Sequence, residues 1–387
     1  MMKSHERFQR ALLIEEPDRT PIFEIGITPP IASRVISRTP VYRNPSVYLK
    51  LCSEGKWREA HQKIAQDMID IHQKLGYDGI RVTELGFYIY SYSYGAVPEG
   101  VKPTLVSENV WDIGGVKHQY VPANNVLWPM ESIIMRGPEE ADRFVREHWS
   151  EVSVPDGVLD PVKHVVKGVK GEKLVLADAY GTFPFTGWKG FDRLLIWMYT
   201  HPHVVRDCIE FFLRRGIELA KAKIDEGVDG VIEVEDYAHK TGPFMTPSQF
   251  KEFVQPALRR YVDEVHKKGA FFVKHLDGNI DAILDGLVAT GIDGLQSIEP
   301  SANMDIGDVK NRYGDKVCLL GNMDVTYTLV SKTVEDVVKE TKKCIDDASP
   351  GGGHILCSAN SIHVGCRYEN VMAMIDTGRR YGLYPAI

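Results

Sequence analysis

The sequence has neither an apolar run long enough to cross a bilayer nor an excess of basic residues. Its 387 residues carry a formal net charge of −7, whereas a nucleic-acid-binding face needs clustered Lys and Arg. No stretch approaches the roughly 18 apolar residues of a membrane span. The N-terminal MMKSHERFQRALL is charged and lacks the apolar core of a signal peptide. We therefore expect a cytoplasmic protein that binds neither nucleic acid nor membrane.

The sequence is also poor in cysteine, and its cysteines do not suggest a disulfide framework. Six of them are scattered over the chain, which fits a reducing compartment rather than a small secreted domain. Each is expected first to pack as a small buried hydrophobic side chain.

Several ligand-binding and catalytic motifs are missing. No GxGxxG follows the first expected strand, which disfavours a dinucleotide-binding site. GxxxxGK followed by Ser or Thr is absent, and so is GxSxG. These absences argue against phosphoryl transfer by a P-loop and against a hydrolase built around a nucleophile elbow.

What the sequence has is a regular alternation of short apolar strands and helical segments. Strands and helices that alternate in this way form a parallel sheet buried on both faces. Eight such units favour a closed (β/α)8 TIM barrel, an α/β fold, over an open sheet. The eight predicted strands are 21–26, 79–84, 174–181, 228–236, 270–278, 292–300, 317–324 and 354–361.

Residues 86–172 interrupt this alternation. FYIYSYSYG, which begins at Phe87, alternates as a half-buried β-ribbon does, and VWDIGGVKHQYVP predicts a hairpin around Gly114 and Gly115. Pro138 opens a predicted helix. We predict one TIM-barrel domain over residues 1–387, with 86–172 as an inserted cap. A lid, a contact within a homodimer and a dock for a partner protein are its three alternative roles.

Polar side chains follow the predicted strands, where the active site of a TIM barrel lies. The stretch FFVKHLDGNI supplies His275 and Asp277, and residues two apart in a strand point the same way. We predict catalytic roles for these two residues and for Glu235 and Asp236. The polar residues at the eight strand ends are Glu24, Glu84, Asp178, Glu235 with Asp236, His275 with Asp277, Glu299, Asn322 with Asp324, and Cys357 with Asn360.

So many carboxylates around one mouth require a positive charge among them. A metal ion, a protonated His275 and Arg81 are the candidates. Zinc accepts nitrogen, oxygen and sulfur ligands and keeps one position open at catalytic sites. Core packing is the alternative role for Cys357, and hydrogen bonding without a metal is the alternative for His275. The candidate zinc ligands are His275, Asp277, Cys357, Glu235 and Glu299.

Aromatic residues come directly after two of the strand ends. A cluster around Tyr88 follows the second strand, and Phe183 and Phe185 follow the third. They predict an apolar pocket wall for a flat substrate, with core packing as the alternative for each. The residues that we predict to contact substrate are Glu84, Asp178, Tyr88, Phe183, Phe185, Asn322 and Asn360.

The order of several motifs resembles the uroporphyrinogen decarboxylase superfamily. ERFQRALLIEEPDRTPIFE, from Glu6, is similar to the family's first segment. VEDYAHKTGPFMTPSQFKEFVQP, from Val234, is similar to its acidic pair followed by a turn and a helix. VKHLDGNI, GIDGLQSIEP, LLGNMD and PGGGHILCSANSI follow in the family's order. The resemblance covers nearly the whole chain apart from 86–172 and implies a TIM barrel with its site in the cleft at the strand C-termini.

Two segments set this sequence apart from true uroporphyrinogen decarboxylases. Those enzymes carry an arginine-bearing RQAGRY segment after the first strand, which suits a substrate with many carboxylates. Here FEIGITPPIAS stands in that place, and the next arginine is Arg34. Their late GHGI segment is replaced by residues 359–362, ANSI. The resemblance therefore points to the superfamily's methyltransferases.

Those relatives imply a zinc ion held by a His-x-Cys pair in the fifth strand and a further Cys near the eighth. His275 matches the histidine, Asp277 stands in place of the first cysteine, and the later cysteine aligns nearer Asn360 than Cys357. Oxygen-rich ligands suit activation of an ether oxygen better than activation of a thiol. The implied reaction moves a methyl group from a small O-methylated donor, such as an aryl methyl ether, to a corrinoid. Because the corrinoid-binding pattern DxHxxG is absent, a separate corrinoid protein is the expected partner.

Two other functions stay open from the sequence. A cofactor-independent decarboxylase of an aromatic or tetrapyrrole carboxylate needs only a cation and a proton donor, such as Arg81 and His275. A non-catalytic barrel that presents a ligand to a partner is the other alternative.

Overall fold

The computed structural model of the chain describes residues 2–83, 88–89, 92–93, 96–122, 126–130, 137–150, 152–169, 171–183 and 191–384, and at residues 88, 89, 92, 93 and 126 it describes the backbone alone. The strands are β1 (Gly79–Val82), β2 (Tyr88–Ile89), β3 (Tyr92–Ser93), β4 (Thr104–Ser107), β5 (Val110–Ile113), β6 (Val116–Val121), β7 (Val126–Pro129), β8 (Leu174–Ala179), β9 (Gly230–Glu233), β10 (Ala238–His239), β11 (Gly242–Pro243), β12 (Phe271–Leu276), β13 (Gly294–Ser297), β14 (Cys318–Met323) and β15 (His354–Ser358).

The helices are α1 (Ser4–Leu12), α2 (Pro29–Ile36), α3 (Pro45–Ser53), α4 (Trp57–Lys74), α5 (Pro138–Glu147), α6 (Asp160–Val169), α7 (Phe191–Thr200), α8 (Pro202–Asp225), α9 (Pro247–Gln249), α10 (Gln255–His266), α11 (Leu284–Val288), α12 (Ile306–Tyr313), α13 (Thr328–Ser331), α14 (Val334–Ala348) and α15 (Tyr368–Tyr381). A π-helix (Phe250–Val254) joins α9 to α10, and 3-10 turns precede α11 (Asp281–Ile283) and α12 (Pro300–Ala302). None of the helices in the described ranges is long and apolar enough to cross a membrane.

Seven parallel strands form the central sheet, in the order β1-β8-β9-β12-β13-β14-β15. Helical sequence separates neighbouring strands along the chain, as parallel pairing requires. The strands are buried at nearly every position, which is typical of a parallel sheet surrounded by helices. Seven of the eight predicted strands are thereby confirmed.

Residues 21–27 close the curled sheet between its two edge strands. Ile22 forms a parallel bridge with Leu356 of β15. The carbonyl of Ile22 accepts the amide of Asp78, next to β1, at 2.8 Å. The predicted TIM barrel therefore consists of seven regular strands and one irregular segment.

The prediction of a regular strand at 21–26 is wrong, and Glu24 supplies the physical reason. If β15 and residues 21–27 formed a continuous parallel ladder, the amide of Ser358 would donate to a backbone carbonyl of 21–27, and the amide of Ile25 to a carbonyl of β15. Instead both amides donate to the Glu24 carboxylate, at 3.3 and 2.9 Å. The carbonyl of Ser358 is in turn occupied by the side chain of Gln296. Side chains thus replace the backbone ladder at this point.

Side chains that point into the barrel form their own apolar cluster, separate from the one beneath the helices. Ile232, Val273 and Ile355 belong to this interior cluster. At the N-terminal end of the strands, Phe8 of α1 packs edge-on against Phe23, with ring centroids 5.3 Å apart. Since α1 covers that end, the polar residues at the strand C-termini line the opposite end, called the mouth below.

Residues 86–172 contain the antiparallel strands expected from their sequence. β2 pairs with β3, and β4 to β7 form a four-stranded antiparallel sheet. Gly114 and Gly115 connect β5 to β6 with φ of 61° and 86°, as a two-residue hairpin turn requires. α5 begins at the predicted Pro138 and packs on α8, whereas α6 packs on α4 within the helical layer around the barrel.

Candidate active site at the strand C-termini

His275 and Asp277 lie at the end of β12 and face the mouth together. Alternate residues of β12 point into the barrel, so both share the side of Val273, a member of the interior cluster. His275 Nε2 lies 3.5 Å from Asp277 Oδ1. The two-residue period of the strand accounts for this pairing.

Asp277 is held by three neighbours. Asn360, just beyond β15, donates through Nδ2 to Asp277 Oδ2 at 2.6 Å. Ser297 Oγ lies 3.4 Å from Asp277 Oδ1. The amide of Asp277 donates to Asp236 Oδ1 at 2.9 Å. Asn360, predicted to contact substrate, thus lies at the same mouth and orients this carboxylate.

Burial raises the pKa of the Asp277 carboxyl to about 6. His275 opposes this shift by charge attraction, and Asp236 and Glu299 add to it by repulsion between like charges. The hydrogen bond from Asn360 lowers the pKa in turn. The carboxyl therefore changes protonation state much nearer neutrality than an exposed aspartate does.

Asp236, His275 and Asp277 form a group that can hold a metal ion. One ligand atom from each lies within 4.8 Å of the others. The donors are one imidazole nitrogen and two carboxylate oxygens, a set that zinc accepts at catalytic sites while leaving a position for substrate. The residues present therefore fit a zinc ion. Asp236 was predicted as catalytic only, and it lies three residues beyond the end of β9. Val234 packs on the interior cluster to which Ile232 belongs, so the alternation of β9 continues past its end and brings Asp236 to the mouth.

Glu235 is separated from that group by the same alternation. Its carboxylate accepts the backbone amides of Gly181, Thr182 and Phe183, at 3.0, 2.7 and 2.8 Å. Strand geometry thus directs Asp236 to His275 and Glu235 to the turn after β8. The structure therefore does not bring Glu235, which was predicted as a zinc ligand, to the group of Asp236, His275 and Asp277.

Cys357 and Glu299 also lie outside the three-residue group. Cys357 belongs to the interior cluster, and its Sγ is 3.7 Å from Gln296 Nε2. Burial raises the pKa of the Cys357 thiol far above its usual range. The Glu299 carboxylate accepts the amide of Gly278 at 2.8 Å and the hydroxyl of Ser301.

Asp178 and Arg81 form a buried ion pair inside the barrel. The Arg81 guanidinium donates to both carboxylate oxygens of Asp178 and to the carbonyl of Ile25. Thr83 Oγ1 also donates to Asp178, at 3.1 Å. Asp178, predicted as a substrate contact, therefore has its oxygens engaged by protein donors, and the charge of Arg81 is already balanced.

The remaining predicted substrate contacts are scattered. The Asn322 side chain donates to the carbonyl of Ile298 at 2.9 Å and lines a groove beside α14. Phe183 is fully buried against Phe191 and Tyr237. Glu84 and Phe185, and the side chain of Tyr88, lie outside the described residues.

Two residues of the mouth are not singled out by the sequence. Arg43 reaches across Gly26, where a Cβ would stand 1.8 Å from its Nη1, and donates to Ser361 Oγ at 2.8 Å. Gln296 is fully buried and hydrogen-bonded to His275. Gln296 could have been found from the sequence, because it is a polar residue at an inward-facing position of an otherwise apolar strand. Arg43 could not, because it lies in a loop whose sequence has no periodicity.

The family model described as uroporphyrinogen decarboxylase (URO-D) matches residues 158–381, more than half of the chain. The uroporphyrinogen decarboxylase of Thioalkalivibrio sulfidiphilus is 24% identical over 265 residues, with 63% of this chain and 73% of that protein covered. The methylcobamide:CoM methyltransferase MtaA of Methanosarcina barkeri is 24% identical over 242 residues. That alignment covers 62% of each protein, less than two thirds of the methyltransferase.

A solved structure of a methyltransferase from Methanosarcina mazei has the same fold. It is 17% identical to this chain and superposes with a TM-score of 0.71. The superposition covers 98% of this chain and 99% of that one, so the shared fold includes nearly all of both chains. At this identity the likeness concerns the fold alone.

Proposed function

Because this chain belongs to the uroporphyrinogen decarboxylase family, we propose that it is a methyltransferase of that family. It takes a methyl group from a small O-methylated donor, such as an aryl methyl ether, and delivers it to the cobalt of a corrinoid on a separate protein. The similarity to a methylcobamide:CoM methyltransferase supports corrinoid-dependent methyl transfer. The absence of a DxHxxG pattern supports a corrinoid carried by a partner.

The observation that carries the oxygen specificity is the ligand set at the mouth. Asp236, His275 and Asp277 offer nitrogen and oxygen only, and Asn360 occupies the neighbouring position. Thiol-activating zinc sites favour soft thiolate ligands, whereas carboxylates suit harder partners. These residues would hold zinc, which when bound supplies Lewis-acid polarisation of the ether oxygen.

The protein residues have separable tasks in this scheme. Asn360 fixes the direction of the Asp277 carboxylate, and the amide of Asp277 fixes Asp236. When no metal is held, Asp277 is suited to donate a proton to the leaving oxygen, because burial raises the pKa of its carboxyl to about 6. Both routes stabilise negative charge that develops on the departing oxygen.

The test is a reconstituted methyl transfer. Purified protein, a methoxylated aromatic donor and a reduced corrinoid protein are mixed, and the cobalt spectrum reports methylation. We expect His275→Ala to abolish the reaction and His266→Ala to leave it unchanged, since His266 pairs with Asp293 at the opposite end of the barrel. Turnover of the donor without any corrinoid protein would show that the proposal is wrong.

Metal content tests the ligand set separately. We expect about one zinc per chain, lost in His275→Ala and Asp277→Ala and retained in Cys357→Ser, because the Cys357 thiol lies in the interior cluster. Co2+ substitution should give no thiolate charge-transfer band. Loss of zinc in Cys357→Ser, or a thiolate band in the unchanged protein, would place Cys357 in the metal site instead.

Decarboxylation is the second candidate function, and the name of a relative favours it. It requires a cation to bind the substrate carboxylate. Arg81 already bonds Asp178, so Arg43 is the better candidate, since no carboxylate of the described residues lies within ion-pair distance of it. Release of carbon dioxide from an aromatic acid without cobalt, lost in Arg43→Met, would favour this function.

A further inference from the structure

Gln296 brings a side-chain amide into the barrel interior beside His275. The two residues are partners across the parallel pair β12–β13. Gln296 is fully buried, and a buried amide whose hydrogen bonds are not made destabilises the folded protein. Its oxygen and nitrogen atoms are both engaged by neighbouring residues, so its orientation can be derived from what those neighbours donate and accept.

The amide can face only one way. The carbonyl oxygen of Ser358 lies 3.0 Å from one end of the amide, and a carbonyl can only accept, so this end must be the NH2 group. The Cys357 thiol lies 3.7 Å from the same nitrogen. Gln296 Oε1 is therefore the atom that meets His275 Nδ1, and it too can only accept. The proton of a neutral His275 must then be on Nδ1.

We propose that Gln296 is a positioning residue that holds His275 as the Nδ1–H tautomer and leaves the lone pair of Nε2 free at the mouth. Nε2 is the nitrogen that lies 3.5 Å from Asp277 Oδ1. Free histidine in water favours the other tautomer, so the bias comes from Gln296. Neutral His275 thus acts as a ligand or proton acceptor through Nε2 and has no proton to donate there.

This assignment explains why an amide suits position 296. Histidines that bind metals usually donate their second N–H to a carboxylate, a carbonyl or water, and loss of that partner typically costs 10–100-fold in metal affinity. Gln296 supplies such an oxygen without adding a negative charge beside Asp236 and Asp277. The part of the inference that concerns metal rests on the proposed function; the tautomer does not.

The tautomer is measured by NMR on metal-free protein with 15N-labelled histidine. The chain has 13 histidines, and the signal missing from His275→Gln identifies His275. We expect Nδ1 to be protonated in the unchanged protein. Gln296→Met, which keeps the length and loses the acceptor, should shift His275 toward Nε2–H. Gln296→Glu should keep Nδ1–H, because a carboxyl oxygen still accepts that proton.

Zinc titration supplies the second readout. We expect the Kd for zinc to rise about 10–100-fold in Gln296→Met and not to rise in Gln296→Glu, whose oxygen still accepts the Nδ1 proton. Cys357→Ala is the matched control, because it alters the other neighbour of the same amide and should change neither tautomer nor Kd.

Three results would overturn the inference. The first is that His275 is the Nε2–H tautomer in the unchanged protein. The second is that His275 stays Nδ1–H in Gln296→Met, and the third is that Gln296→Met binds zinc with an unchanged Kd. If Gln296→Met fails to fold, the unchanged protein and Gln296→Glu still decide the tautomer. Failure of methyl transfer with the tautomer as expected would reject the proposed function and leave the role of Gln296 standing.

Discussion

Glu24 shows how burial sets the protonation of a single residue in the barrel wall. Its side chain is 1% exposed, and burial raises the pKa of the carboxyl to about 7. Hydrogen bonds from Ser358 and from the amide of Ile25 oppose this shift and do not cancel it. Folding therefore keeps a proton on Glu24 at pH values where the unfolded chain has lost it.

We expect Glu24→Gln to remove a pH dependence of stability. The folded pKa of about 7 lies above the unfolded value of 4.5, so the contribution of Glu24 is full below pH 4.5 and is lost as the pH rises through 7. At about 1.4 kcal/mol per pKa unit, the loss is about 3 kcal/mol. Urea unfolding of both proteins at acidic and mildly alkaline pH measures it. An equal difference between the two proteins at both pH values would contradict the raised pKa.

The residues of the site differ in how far the sequence reveals them. The pairing of His275 with Asp277 follows from the two-residue period of a strand and could be predicted. The choice between Glu235 and Asp236 could not, because it depends on which phase of β9 faces the barrel. Gln296 contributes through a contact between strands, and a single sequence does not show which residues of neighbouring strands are opposite each other.

At the scale of elements, the residues that follow β9 stabilise both the mouth of the barrel and the turn after β8. Asp236 turns to the mouth, where its Oδ1 accepts the amide of Asp277 at 2.9 Å. Glu235 turns outward and accepts three consecutive backbone amides in the turn after β8. Burial, with Glu233 nearby, raises the pKa of the Glu235 carboxyl. Glu235 thus has a structural role, and the adjacent Asp236 belongs to the candidate site.

We expect alanine substitutions to separate these roles. Glu235→Ala leaves buried backbone donors without an acceptor, at about 1–3 kcal/mol each, so the free energy of unfolding should fall by about 3 kcal/mol or more. Asp236→Ala removes the acceptor of a single, partly buried amide, so it should cost about 1 kcal/mol and weaken zinc binding more than Glu235→Ala does. Urea unfolding and zinc titration of both variants provide the comparison. The reverse pattern would mean that Glu235 faces the mouth.

Elements with strong local signals could be predicted, and elements set by distant contacts could not. α14 begins after Thr333, whose hydroxyl and Asp336 form a capping box, and α8 begins at Pro202. Both signals lie within the sequence of the helix itself. The irregular path of 21–27 depends instead on Ser358, more than 300 residues away, whose amide is taken by Glu24.

At the scale of the whole molecule, Asp78 connects residues 21–27, the closing segment, to the rest of the barrel. It is fully buried, and its Oδ2 accepts the amide of Ile22 at 2.9 Å. Its Oδ1 accepts from Arg7 at 2.7 Å and from Arg19 at 3.0 Å. The carboxylate of Asp78, the residue before β1, therefore holds α1 and the closing segment against the first strand. The closed sheet depends on this carboxylate at the place where the backbone ladder is incomplete.

We expect Asp78→Ala to destabilise the protein by about 3–5 kcal/mol, because it leaves Arg7 and Arg19 without their buried partner and removes the acceptor of the Ile22 amide. Hydrogen exchange should quicken first at the amides of Phe23 and Leu356, which join the closing segment to β15, while the amides of β8 keep their protection.

Arg34→Ala is the control for the Asp78 variant. Arg34 pairs with Glu369 at 2.9 Å, and both side chains are more than half exposed, so its loss should cost less than about 1 kcal/mol. If the two variants are equally stable, or if exchange in Asp78→Ala quickens uniformly over all strands, the barrel is not closed through Asp78. A selective loss at residues 21–27 would mean that one buried carboxylate supports the eighth position of this barrel, where isolated backbone bridges replace a continuous ladder.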